Sequence, residues 1–137
     1  MPVYSLTSHK KISENNKMAL VNLLTDVHCS IMIAPEQFVH VLFSDGIPIR
    51  EKNQLYIHAN VRAGRSKDTI NKLRETLTTE CAKILQIAED KVYINLLEID
   101  AKWVMEGGYV MPGPGEEDEW MEKVTKALAK REKVATN

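Results

Sequence analysis

Two stretches of this 137-residue chain carry the same order of signals, and that repetition limits the possible folds more than any other feature. In the first stretch, an apolar-rich run from Pro2 to Thr7 alternates as a strand does. A basic link, His9-Lys10-Lys11, leads to Ser13, an N-cap residue type, with Glu14 favourably placed in the first helical turn. Leu20, Leu23, Leu24, Val27 and Ile31 recur at helical spacing as one apolar stripe; Pro35 ends the helix, and Phe38–Phe43 reads as a second strand. The second stretch runs in the same order. Leu55–Val61 reads as a strand, Arg62-Ala-Gly-Arg65 as the basic link and Ser66 as the N-cap, with Asp68 behind it. Ile70, Leu73, Leu77 and Ile84 form the helical stripe, and Val92–Leu97 the closing strand.

Two such units predict an α/β (α+β) fold: a tandem β-α-β repeat with a four-stranded sheet and two helices on one of its faces. A helix that outruns its strands suits a right-handed crossover between parallel strands. We expect one domain over 1–137, made of units at about 2–50 and 54–100 plus a C-terminal turn and helix at 101–137. The uncovered sheet face is expected to carry Tyr4, Leu6, Val39 or His40, and Tyr93 or Ile94. So apolar a face predicts oligomerisation. In the last third, Gly107-Gly108 and Pro112-Gly-Pro-Gly115 are turn signals. A helix then starts among Glu116-Glu-Asp-Glu119 and carries Trp120, Val124, Ala127 and Leu128, with residues 134–137 expected to fray.

Composition narrows the function classes. Eighteen Lys and Arg against nineteen Asp and Glu leave a net charge of −1, which argues against a general nucleic-acid binder. No apolar run approaches the roughly 18 residues of a membrane span, and MPVYSLTSHKK lacks a signal peptide's apolar stretch. Cys29 and Cys81 alone make neither a disulfide framework nor a four-ligand zinc site, and His9, His40 and His58 lack metal-ligand spacing. A soluble cytoplasmic protein without a metal is the expectation.

Three features can carry chemistry. Proline directly after Met1 permits removal of the methionine, which exposes a secondary amine. Such an amine has an ordinary pKa near 8, lowered by desolvation or nearby cations, and serves as general base, general acid or nucleophile. Arg62 and Arg65, three apart and just ahead of a helix N-cap, suit bidentate capture of a carboxylate. His28, late in the first helix, can donate to a substrate oxygen. Each has a plainer reading: a permissive second residue, two solvated arginines and a packed histidine.

Together these residues resemble the tautomerase superfamily, which is built from β-α-β units and uses an amino-terminal proline. The likeness is to its cis-3-chloroacrylic acid dehalogenase branch, in which two units are fused and the protein is a trimer. It rests on Pro2-Val-Tyr4, Thr25-Asp-Val-His28, Ile57-His58, Arg62-Ala-Gly-Arg-Ser66, Pro112-Gly-Pro-Gly115 and Glu119-Trp120. The resemblance implies Pro2 as the catalytic amine, Arg62 and Arg65 as carboxylate anchors and His28 as a substrate contact. Glu117 or Asp118 falls where the family keeps a water-activating glutamate, and Tyr4 and Tyr109 join the substrate-binding set. One departure stands out: Gly107 replaces a family tyrosine before the Pro-Gly turn, with Tyr109 two residues later and Trp103 four earlier.

These expectations combine into proton transfer on a small 2-oxo or unsaturated carboxylic acid by a homotrimer, needing neither metal nor organic cofactor. The alternatives are a hydratase or hydrolytic dehalogenase of 3-haloacrylic acids, and a non-catalytic trimeric binding protein of the same fold.

Overall fold

The computed structural model describes residues 1–135, in two compact units: Met1–Glu98 and a second that begins at Ile99. In the first unit, strand β1 (Val3–Ser8), helix α1 (Glu14–Met32) and strand β2 (His40–Asp45) form one half. Strand β3 (Leu55–Arg62), helix α2 (Lys67–Leu85) and strand β4 (Val92–Ile99) form the other. The sheet order is β2-β1-β3-β4. β1 pairs parallel with β2 and antiparallel with β3, so the sheet is mixed and its two halves meet along β1 and β3.

The repetition extends to backbone detail. Ser13 and Ser66 are both extended N-caps, accepting from the amides of Asn16 and Thr69 at 3.2 and 3.1 Å. Both helices have 19 residues, and each is followed by a 3-10 turn, Glu36–Phe38 in one half and Glu89–Lys91 in the other. Phe38 therefore belongs to a turn that it anchors by its burial, and the strand expected from Phe38 starts at His40.

The core lies between the helices and one sheet face. Leu20, Leu24 and Met32 of α1 and Leu73, Leu77 and Cys81 of α2 pack with Leu6, Leu55, Ile57 and Val61 of the strands. This layer corrects the expected facing of β1. Strand alternation turns Tyr4 and Leu6 inward, fully buried under the helices, and leaves Val3, Ser5 and Thr7 on the open face. His40 and Tyr93 do lie exposed, as expected, while Val39 and Ile94 pack against the core. The open face thus mixes Ser5, Thr7, Ser44 and Asn60 with Leu42, Tyr93 and Leu97, and is less apolar than expected.

In the second unit, β5 (Met105–Glu106) and β6 (Tyr109–Val110) form a hairpin. Gly107 and Gly108 connect them with φ of 62° and 88°, as a two-residue turn with two left-handed positions requires. A tyrosine at 107 would be strained there, which is a backbone reason for the departure from the family pattern. Helix α3 (Glu117–Ala135) follows, and Trp120 Nε1 donates to the Val110 carbonyl at 2.6 Å. The fraying expected over 134–137 is not seen at Val134 and Ala135, which are helical; 136–137 lie outside the described residues.

Candidate active site

Topology gathers the sequence-derived candidates of the first unit at one end of the sheet, the edge where β1 and β2 start and β3 finishes. The antiparallel register pairs Val3 with Asn60, which brings the chain start beside the end of β3, where Arg62 stands. The parallel register pairs Val3 with His40, so β2 starts at the same edge. Pro2 is fully buried; its carbonyl accepts from the His40 amide at 3.0 Å, and the Met1 ammonium donates to the Phe38 carbonyl at 2.8 Å. With Met1 attached, the Pro2 nitrogen is a tertiary amide and carries no proton.

Arg65 sits in the link just before the Ser66 N-cap and reaches across to α1. Its Nη2 donates to the Met32 carbonyl at 2.8 Å. That carbonyl is among the last of α1, where intrahelical donors run out and the dipole favours a cation. One helix end therefore orients the guanidinium that the next helix start displays.

His28 lies on the inward stripe of α1 with Leu20, Leu24 and Met32 and is 3 % exposed. Its Nδ1 is 2.6 Å from the Tyr4 hydroxyl, and the two rings meet edge to face at 5.6 Å and 79°. Burial, followed by the charges of Arg65, the terminal ammonium and Arg62, depresses the His28 pKa to about 4. The imidazole is thus neutral at neutral pH, and three cationic groups act on it. Burial first, then the nearby thiols of Cys81 and Cys29, raises the Tyr4 phenol above its ordinary range, so it too stays neutral. The edge as a whole can hold an anion and present the neutral His28 imidazole to it.

Tyr109 and Glu117 belong to the second unit. Tyr109 is half-buried in β6 with the Arg131 guanidinium 5.6 Å from its ring centre, and Glu117 opens the first turn of α3. Trp103 is 76 % exposed. Among the described residues, no group of three or more His, Cys, Asp or Glu could hold a metal ion.

The two halves do not build like sites. The internal repeat places Leu55 where the first half has Pro2, and Ile12 where the second has Arg65. Those two residues help line a separate cavity of about 260 Å³, together with Lys11, Ser13, Lys52 and Leu85. It contains no proline, histidine or arginine. Sequence reasoning had no access to three partners at the working edge: the carbonyls of Met32 and Phe38, which carry no side-chain signal, and the Tyr4–His28 pairing across 24 residues.

No family model and no curated protein matches the chain. Solved structures do. A member of the cis-3-chloroacrylic acid dehalogenase family is 27% identical, with 94% of this chain and 96% of that one covered at a TM-score of 0.84. A fused 4-OT, described as a wild-type asymmetric trimer, is 20% identical over 79% of this chain and 94% of its own, at 0.68. A macrophage migration inhibitory factor from Toxoplasma gondii is 13% identical over 80% and 99%, at 0.70. The chain has the tautomerase-superfamily fold. Within that superfamily it resembles the cis-3-chloroacrylic acid dehalogenase branch.

Proposed function

We propose that this protein is a tautomerase-type enzyme whose Pro2, freed from Met1, moves a proton on a small 2-oxo or unsaturated carboxylic acid. In this reading Arg62 and Arg65 hold the substrate carboxylate, and the cations at that edge keep the Pro2 amine neutral at working pH. Pro2 takes the proton from enol oxygen or carbon and returns it to the other, while His28 donates to the oxygen on which charge develops. One protomer is the whole chain, working as a cytoplasmic homotrimer; the trimeric fused 4-OT supports that assembly.

The observation that carries the reading is the action of Arg65 and Arg62 together on a buried, neutral His28, with Arg65 held in place by the Met32 carbonyl. Purified protein assayed with phenylenolpyruvate tests it: Pro2→Ala should abolish turnover, and Arg65→Ala should raise KM. Undiminished turnover by Pro2→Ala would overturn the role of the proline.

The 27% identity to a cis-3-chloroacrylic acid dehalogenase family member favours a second reading, addition of water to a 3-haloacrylic acid with loss of halide. There Glu117, or its neighbour Asp118, orients the water, and Tyr109 contacts the substrate. Chloride release from cis-3-chloroacrylate, abolished by Glu117→Gln, would select this reading.

A further inference from the structure

The core of the first unit contains one polar pair that the fold itself does not need. Tyr4 is wholly buried, and among the described residues its hydroxyl has one hydrogen-bond partner, Nδ1 of His28, at 2.6 Å. In the second half the repeat places Ile57 and Cys81 at the corresponding positions, both fully buried in the same core. The same architecture is therefore built once with an apolar pair and once with a phenol and an imidazole. Burying the polar pair costs stability unless each group is satisfied, and the satisfied geometry here is specific.

Proton bookkeeping decides the direction of the bond. A buried phenol must place its one proton on an acceptor, and Nδ1 is the acceptor within reach. Were Nδ1 to carry the imidazole proton, the phenol proton would be left without a partner in the core. Nδ1 is thus the bare nitrogen, and a neutral imidazole then carries its proton on Nε2.

We propose that Tyr4 is a positioning residue rather than a substrate contact: its hydroxyl donates to Nδ1 and holds His28 in the Nε2–H tautomer. That tautomer offers one neutral donor, suited to a carbonyl or enolate oxygen, and offers no base that would compete with Pro2 for the substrate proton. The catalytic part of this inference rests on the function proposed above; the tautomer itself does not.

The test separates the two. Nitrogen NMR of 15N-histidine-labelled protein at pH 7, without substrate, reads the His28 tautomer directly. The wild type should show an unprotonated Nδ1 and a protonated Nε2, and Tyr4→Phe should shift the population toward the Nδ1–H form. A protonated Nδ1 in the wild type, or an unchanged tautomer in folded Tyr4→Phe, would overturn the proposal. With phenylenolpyruvate, Tyr4→Phe should lower kcat about five- to tenfold with little change in KM, the size expected for one hydrogen bond. In a His28→Gln background the same substitution should cost nothing more; additive losses would overturn the positioning role. If the wild type leaves phenylenolpyruvate unchanged, the function proposed above fails, and the NMR arm alone decides the tautomer.

Discussion

Ile33 and Gln86 stand 53 positions apart and end their helices in the same left-handed backbone, with φ of 53° and 55°. At Gln86 the geometry is explicit. Its amide donates to the Lys83 carbonyl at 3.2 Å, and the Ile87 amide donates to the Ala82 carbonyl at 3.0 Å, the paired bonds of a Schellman cap. Neither residue is glycine, so each half-unit carries the steric strain of a Cβ in that region.

Replacing either residue by glycine should therefore stabilise the protein. We expect a gain of about 0.5–1 kcal/mol for Ile33→Gly, whose side chain is 80 % exposed and loses little packing. Urea denaturation followed by circular dichroism measures it, and Gln86→Gly should give a similar gain.

Asp45 ties the end of β2 to the start of α1. Its Oδ2 accepts from the Ile12 amide at 2.8 Å, and its Oδ1 lies 3.1 Å from Lys17 Nζ. The Ile12 amide, more than Lys17, holds the Asp45 carboxyl below its ordinary pKa. Asp45→Asn should cost about 1–2 kcal/mol, the worth of a charged hydrogen bond at a helix start. Because the folded-state pKa is depressed, this stabilisation is present at neutral pH and is lost as pH falls through the carboxylate range. The same denaturation series, repeated near pH 3, should show the variant and the wild type converging.

His28 gives the acid response a second component. Above about pH 6.5 the imidazole is neutral in both folded and unfolded chains, and its titration has no effect on stability. Between pH 6.5 and 4 only the unfolded chain takes up the proton, so stability falls with pH. Below about pH 4 the loss levels off, at roughly 3 kcal/mol in total. In His28→Gln that slope should disappear, since glutamine does not titrate. Thermal melts from pH 7 to pH 4 would show it as a flattened profile.

Retention of Met1 should silence proton transfer. The Pro2 nitrogen is then an amide, and the Met1 ammonium is already engaged by the Phe38 carbonyl. Intact-mass measurement of matched preparations, with and without Met1, should show phenylenolpyruvate turnover following the processed fraction in direct proportion.

Much of this protein was open to reading from its residues in order. Local chemistry sets the helix starts at Ser13 and Ser66, because a hydroxyl acceptor followed by a periodic apolar stripe has few other solutions. The tandem β-α-β plan follows from the same signals occurring twice. Gly107-Gly108 likewise announces its turn through backbone freedom alone.

Facing and partnership were decided only in three dimensions. Alternation says that Tyr4 and Leu6 share a face; which face the helices cover depends on how both halves pack along β1 and β3. Register brings the chain start to the end of β3, and packing sets Tyr4 against His28 and Arg65 against the last turn of α1. Those contacts span 24 and 33 residues, so their energies depend on distances that one-dimensional spacing does not contain. The sequence by itself determined which groups were available. The tertiary structure decided which of them lost water, and with it their proton affinity.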